Sequence, residues 1–210
     1  MATIDDQVEA SSDDANEITA GQVSLLATSV VLGDAFDTRS GQRFFTLITG
    51  LAGKTITDAY LTWRANATDT GSFVNTMYGD DLEAPITFTT TDFDISGRAK
   101  TTATVAAGSA ELGNWTADSD YTLTVTSIIQ ELADSYDPSA IVLFSINDSG
   151  NGERLGKSFN SDEALAPKLH ITYTVAAGGD GTDMPWPDLH QPYPIKIGVV
   201  ASGPQSGLAR

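Results

Sequence analysis

Three acidic residues near the amino terminus form the first group whose types and spacing could do chemistry. In the segment SSDDANE, which runs from Ser11 to Glu17, the carboxylates of Asp13, Asp14 and Glu17 fall within five consecutive positions. Ca²⁺ is a hard cation that takes several oxygen ligands, so the cluster predicts a calcium site. The spacing does not follow the EF-hand loop. The alternative is a solvated acidic turn that precedes a strand.

Two histidines are the candidates for acid–base catalysis. His170 falls on the outward face of a predicted strand, and His190 lies near the carboxyl terminus. Neither histidine is next to a nucleophile elbow, and the sequence contains no GxSxG motif. Glycosidases need two carboxylates, but in a chain with 28 acidic residues such pairs arise by chance. The sequence therefore predicts that the protein is not an enzyme.

Aromatic side chains are candidates for binding sugar rings by stacking. Trp115 follows a Gly-Asn turn in a polar loop, which favours an exposed platform, and Tyr78 is a second candidate. Trp63 alternates with Leu61 and Ala59 along a predicted strand, so we expect it to pack in the core. These positions predict a glycan site at Trp115 and Tyr78.

The composition excludes several classes of partner. The formal net charge of -17 argues against nucleic acid, whose phosphates require clustered Lys and Arg, and against anionic membrane surfaces. No apolar run approaches the ~20 residues that span a bilayer. The amino terminus has no basic or apolar region of the kind found in signal peptides, so none is expected. The chain lacks cysteine, so its stability must come from packing.

Hydrophobic patterning predicts an all-β fold, an antiparallel β-sandwich of the jelly-roll type, over residues 1–175. The stretch from Gly41 to Trp63 indicates two strands joined by a glycine-containing loop, and we expect them to form a pair. Ala140 to Ile146 is continuously apolar, which predicts a strand buried on both sides. Short strands are also expected at Ile86 to Phe88 and at Phe93 to Ile95.

One short helix is predicted at residues 127–134. Ser127 and Gln130 fit a capping box, and the apolar residues Ile128, Ile129 and Leu132 accompany it.

The composition changes at Ala176, where an extended Pro/Gly-rich C-terminal arm begins. Residues 176–210 hold five of the eight prolines, and proline favours extended backbone. Such an arm cannot bury its apolar side chains against itself, so we expect them to bind a neighbouring subunit or another protein. These partner-binding residues are Trp186, Tyr193, Ile195, Ile197 and Val199. A single GGDGTD segment at Gly178 to Asp183 matches the opening of a calcium-binding repeat, but one copy indicates a linker.

Several segments, taken together, resemble one protein family. They are VEASSDDANE from Val8, GQRF from Gly41, TITDAYL from Thr55, SIIQEL from Ser127 and APKLHITY from Ala166. This order is similar to that of the carbohydrate-binding-module-like jelly-roll domains, often called DNRLRE-type, of bacterial surface and secreted proteins and of phage structural proteins. The resemblance covers residues 8–175, and Glu153-Arg154-Leu155 is a remnant of the signature. It implies a non-enzymatic accessory module with a structural calcium near Asp13, Asp14 or the turn at residues 161–163.

Two functional hypotheses follow from the sequence. The first is a structural or decorating subunit of a large assembly such as a phage virion, anchored through its arm and forming a homo-oligomer. It fits the acidic charge and the small β domain, and it places the protein on a virion or other extracellular particle. The alternative is a carbohydrate-binding module of a cell-surface or secreted protein, which the resemblance favours.

Overall fold

The computed structural model describes residues 1–33, 38–150 and 152–174, without the side chains of 148 and 150. Twelve strands, two helices and one 3-10 turn form within these residues. The strands are β1 Ala2–Gln7, β2 Asp14–Glu17, β3 Val23–Ser24, β4 Ser29–Gly33, β5 Arg39–Phe44, β6 Ile56–Arg64, β7 Phe73–Gly79, β8 Val105–Ala106, β9 Asp120–Thr124, β10 Ile141–Gly150, β11 Glu153–Lys157 and β12 Lys168–Tyr173. The helices are α1 Ser109–Leu112 and α2 Thr126–Ser135, and the 3-10 turn is Glu163–Leu165.

The strands form two main antiparallel sheets whose pairing is nested. One sheet has the order β1-β12-β6-β9, and the other has the order β3-β2-β5-β10-β7-β8. Four of the strand pairs are nested along the chain: β1–β12 encloses β5–β10, which encloses β6–β9, which encloses β7–β8. The chain thus resembles a long hairpin that is folded into two layers. This is the connectivity of a jelly roll. The prediction of an all-β antiparallel sandwich is confirmed. A separate small sheet joins β4 and β11.

The predicted pair within residues 41–63 does not form, because β5 and β6 belong to different sheets. The loop between them carries the chain from one layer to the other. The alternation along β6 is as predicted, with Ala59, Leu61 and Trp63 buried in the core between the layers. Periodicity therefore identified the buried face of the strand but not its neighbours.

Helix α2 confirms the predicted helix with one further residue at each end. The predicted capping box is wrong, because the N-cap is Val125 and no side chain caps the helix. Gln130 instead uses its Oε1 atom to accept a hydrogen bond from the backbone N–H of Ile56, at 2.8 Å. The side chain thus ties the helix to the start of β6. No helix in the described part of the chain has the length and apolarity to cross a membrane.

Strand β10 is central, and it is covered on both faces as predicted. Ile141 and Leu143 face the main core, whereas Val142 and Phe144 face a second, smaller core on the outer side of the six-stranded sheet. A segment over residues 85–101 covers this second core with Phe88 and Ile95. The segment consists of turns and loops, so the short strands predicted there are absent from it.

Arg98 fastens the covering segment to the sheet. Its guanidinium forms an ion pair with the buried Asp80, with 2.8 Å between Nη1 and Oδ2. It also donates to the backbone carbonyls of Asp94 and Ile86 and lies 4.3 Å from the centre of the Phe88 ring. Burial raises the pKa of Asp80, while Arg98 lowers it. The pair is therefore an internal support of the fold.

Met1–Ala176 forms one structural unit. The predicted arm over residues 176–210, with Trp186, Tyr193, Ile195, Ile197 and Val199, lies outside the described residues. Its partner-binding role stays a prediction.

Candidate functional site

The predicted calcium cluster does not form, because its carboxylates bind separate parts of the protein. Asp13 accepts from Arg43 Nη1 at 3.1 Å and from Thr87 Oγ1 at 2.9 Å. Asp14 accepts from the backbone N–H of Phe159 at 2.7 Å. Alternation along β2 sends Asp14 to one face of the sheet and Glu17 to the other.

On that opposite face, Glu17 holds the segment that covers the second core. Its Oε2 atom accepts from the backbone N–H groups of Ile95 and Ser96, at 2.8 and 2.9 Å. Arg39 lies 3.5 Å from its other oxygen. Within residues 1–33, 38–150 and 152–174, no group of three or more His, Cys, Asp or Glu side chains is arranged to hold a metal ion. The calcium prediction at Asp13, Asp14 and Glu17 is therefore wrong.

The turn at residues 161–163, a second calcium position implied by the resemblance, has a structural role. Asp162 is the N-cap of the 3-10 turn, and its Oδ1 atom accepts from the backbone N–H of Ala164 at 3.1 Å.

Asp14 is a buried carboxyl group whose titration is displaced. Burial raises its pKa from 3.8 to about 7, the hydrogen bond from Phe159 opposes this change, and the neighbouring charge of Asp13 adds to it. The shift follows from the loss of solvation of the charged form. Near neutral pH the Asp14 carboxyl group is therefore close to the midpoint of its titration.

The predicted glycan platform at Trp115 is wrong, because this side chain is only 1% exposed. Its ring stacks on Tyr121 with 4.9 Å between ring centres, and Trp63 lies 6.2 Å away. Paired backbone hydrogen bonds between Trp115 and Asp69 turn the loop inward over the core. The large apolar ring packs in the core, and this packing determines its placement although its neighbours in the sequence are polar.

Tyr78 lies in a different core from Trp115. It is half-buried and stacks on Phe144 with 5.8 Å between ring centres, while Lys100 Nζ lies 5.1 Å from its ring. The structure therefore does not bring the two predicted platform residues together.

Arg154, which lies in the segment that resembles the DNRLRE-type signature, is fully buried. Its guanidinium donates to the backbone carbonyls of Gly113 and Gly71, at 2.7 and 3.0 Å, and lies 5.2 Å from the centre of the Phe73 ring. Burial lowers its pKa, although the nearby charge of Asp69 opposes this. Arg154 therefore ties β11 to two loops of the body and does not face solvent.

A groove on the outer face of the four-stranded sheet is the candidate site. Its volume is about 390 Å³. Cross-strand pairing aligns Asp5 of β1, His170 of β12 and Tyr60 of β6 in one row. Further polar, charged and apolar residues complete the lining: Asp6, Gln7, Glu9, Thr46, Leu47, Thr62, Lys168 and Leu169.

The row of side chains is held together by direct contacts. His170 Nδ1 lies 2.6 Å from Asp5 Oδ1, and its Nε2 lies 3.0 Å from Thr172 Oγ1. The Tyr60 and His170 rings stack with 4.6 Å between centres and an angle of 18°. Hydroxyl, carboxylate and ammonium groups beside an aromatic pair suit a polar ligand that makes several hydrogen bonds.

The order of carboxylate, imidazole and hydroxyl in Asp5, His170 and Thr172 is also that of a hydrolytic triad. In such triads the carboxylate is buried, whereas the Asp5 side chain is 75% exposed. All three residues lie on the open face of a sheet. The arrangement therefore favours binding over nucleophilic catalysis.

The sequence placed His170 on an outward strand face, which is where it lies, but it did not single out Asp5 or Tyr60. The signal available in the sequence is the alternation along each strand, which places Tyr60 and His170 on outward faces. Their meeting depends on the register of three strands that are distant in sequence. Comparison with protein families and with curated proteins finds no match for this chain, so the resemblance to DNRLRE-type domains stays a prediction.

Proposed function

We propose that this protein is a non-catalytic structural subunit of a large assembly, a decorating or accessory protein of a phage-type virion. The body anchors to neighbouring protein through the arm at residues 176–210. The observation that carries the proposal is a jelly-roll body, Met1–Ala176, followed by a sequence with five of the eight prolines and several large apolar side chains. Jelly rolls recur in viral capsids.

The buried charges of the body support this role, because they serve its own architecture. Glu17 and the Arg98–Asp80 pair hold the covering segment, and Arg154 joins loops. Such internal networks stabilise a body that must keep its shape in a lattice. The net charge of -17 keeps free subunits soluble.

Light scattering on the full chain tests the proposal. Replacing Ile195, Ile197 and Val199 with serine should reduce the assembly to smaller species while circular dichroism of the body is unchanged. A matched control replaces three polar residues of the arm, Thr182, Gln191 and Gln205, with serine, and we expect it to assemble normally. Normal assembly of the first variant would refute the anchoring role of the arm.

The groove favours a second candidate function, a carbohydrate-binding module at a cell surface. Tyr60 and His170 give the groove an aromatic pair, and Asp5, Glu9 and Lys168 surround it with hydrogen-bonding groups. Sugar recognition combines these two elements.

A glycan array followed by calorimetry on the full chain tests the second candidate. Micromolar binding that is lost in Tyr60→Ala and kept in Tyr60→Phe would support it. Binding that survives in Tyr60→Ala would place the ligand elsewhere.

A further inference from the structure

The side chains of Asp14 and Gln42 lie next to each other on the buried face of the six-stranded sheet. The two residues are directly opposite in the register of β2 and β5. On β10, Gln42 is opposite Leu143, which lies in the main core, so both side chains point to that core. Asp14 is 4% exposed and Gln42 is 0% exposed. A carboxyl group and an amide group are therefore enclosed together between the layers.

Gln42 has hydrogen-bonding atoms that the described residues leave unused. Its Nε2 and Oε1 atoms are both buried, and neither has a partner within residues 1–33, 38–150 and 152–174. An unpaired buried amide bears the full cost of leaving water. The Cβ atoms of directly opposite residues lie about 4.5–5.5 Å apart, so the long glutamine side chain can reach the Asp14 carboxyl group. A protonated carboxyl group donates its O–H to Oε1, whereas a charged one accepts from Nε2.

The Asp14 carboxyl group also holds the loop over residues 158–162, which joins β11 to the 3-10 turn. Its Oδ2 atom accepts from the backbone N–H of Phe159 at 2.7 Å, and the Phe159 ring packs against the main core. Two side chains of the loop, those of Ser158 and Asn160, donate to backbone carbonyls between β3 and β4, at 2.7 and 2.8 Å. The bond to Asp14 thus ties the loop directly to β2.

The surroundings of Asp14 disfavour its charged form while the loop is closed. Burial raises its pKa from 3.8 to about 7, the hydrogen bond from Phe159 opposes this change, and the charge of Asp13 adds to it. Strands β3 and β4 carry no titratable side chain. The charged residues of the other neighbouring elements are Arg39 and Arg43 of β5, which pair with Glu17 and Asp13, and Lys157, Asp162 and Glu163 at the ends of the loop. Because both arginines pair with other carboxylates, a charge on Asp14 is relieved by contact with water.

We propose that Asp14 and Gln42 form a pH-sensitive switch for the 158–162 loop. In the closed state the protonated carboxyl group donates to Gln42 Oε1 and accepts from Phe159. Loss of the proton to solvent leaves a buried charge, and the loop opens to expose the carboxylate to water. The open state has the ordinary pKa of an exposed aspartate, so the free energy of opening falls as the pH rises from 3.8 to about 7. The inference concerns motion within the body and does not depend on the proposed function.

Amide hydrogen exchange of the full chain, followed by NMR, tests the switch through the Phe159 N–H. After correction for the intrinsic exchange rate, the protection of this amide should fall about a hundredfold from pH 5 to pH 8, the ratio that the two pKa values give. At pH 8 it should also exchange faster than the amide of Ile171, whose strand β12 is hydrogen-bonded on both sides. Equal protection of the two amides would show that the loop opens only with the whole fold, and this would overturn the proposal.

Asp14→Asn is the variant that cannot ionise, and its Phe159 amide should keep the same protection at both pH values. Asp58→Asn, which removes an exposed charge on β6, is the matched control and should behave like the wild type. A fall in Asp14→Asn as large as that in the wild type contradicts the role of Asp14.

Gln42→Met tests the amide partner, because methionine keeps an unbranched, flexible side chain and removes the amide group. If Gln42 accepts from the protonated carboxyl group, its loss should lower the pKa of Asp14, which the NMR shift of the carboxyl carbon reports in a pH titration. In the wild type, the side-chain N–H resonances of Gln42 should move with the same midpoint as that carbon. An Asp14 pKa that is unchanged or raised in Gln42→Met overturns the pairing.

Discussion

Replacing Asp14 with asparagine should stabilise the protein increasingly as the pH rises. The Asp14 carboxyl group is buried at the start of β2 and accepts one hydrogen bond from the backbone of Phe159. Asparagine has nearly the same shape, and its carbonyl oxygen can accept the same bond. The substitution therefore removes the charge and little else.

The magnitude follows from the pKa of this group in the two states. Its pKa is about 7 in the folded protein and 3.8 when unperturbed. Between these values the folded state holds a proton that the unfolded state has lost, so the free energy of unfolding falls as pH rises. The free energy of unfolding stops falling once the pH is above the folded pKa. One pKa unit corresponds to 1.36 kcal/mol, so the whole shift lowers the free energy of unfolding by about 4 kcal/mol. From pH 5 to pH 8 the fall amounts to about 3 kcal/mol.

Urea unfolding at pH 5 and pH 8, followed by tryptophan fluorescence, measures the effect. The advantage of Asp14→Asn over the wild type should grow by about 3 kcal/mol between the two pH values. Asp58→Asn removes a charge from an exposed position on β6 and serves as the control, with no comparable growth expected. If the Asp14→Asn advantage is the same at both pH values, the buried carboxyl group does not titrate as argued.

Three further substitutions test the internal supports of the fold by urea unfolding. Arg98→Ala leaves the carboxylate of Asp80 buried without its partner and should cost about 3–5 kcal/mol. Arg154→Lys keeps the charge but loses the forked hydrogen bonds to backbone carbonyls and should cost about 2 kcal/mol. Gly41→Ala places a Cβ atom against the Phe88 ring and should cost about 1–3 kcal/mol, because the ring and its covering segment must shift.

The control for both arginine variants is Arg64→Ala, since Arg64 pairs with the exposed carboxylate of Asp120. Surface pairs of this kind contribute about 0–1 kcal/mol. An Arg98→Ala or Arg154→Lys variant that loses no more stability than Arg64→Ala would contradict the structural roles assigned here.

Local pattern in the sequence predicted those features that depend on one strand or helix alone. The alternation of Ala59, Leu61 and Trp63 identified the buried face of β6, and continuous apolarity identified β10 as a strand covered on both sides. Both follow from the two-residue period of strands. The helix at α2 was found through its apolar residues, although Gln130 turned out to bind a neighbouring strand and not its own helix end.

Features that depend on long-range pairing could not be predicted in the same way. The groove requires Asp5, Tyr60 and His170 to share a row, and this depends on a register among β1, β6 and β12. Asp14 and Glu17 are close in sequence but face opposite sides of the sheet. Trp115 looked exposed from its neighbours, yet tertiary packing turned it inward.

The nested strand pairing has a consequence for biosynthesis. Ala2 on β1 pairs with Tyr173 on β12, and β12 also separates β1 from β6 in the four-stranded sheet. A nascent chain therefore cannot complete that layer until residue 173 has left the ribosome, and the earlier strands must wait with apolar faces uncovered. Contacts of such long range slow folding, so we expect the four-stranded layer to form only after translation has passed β12.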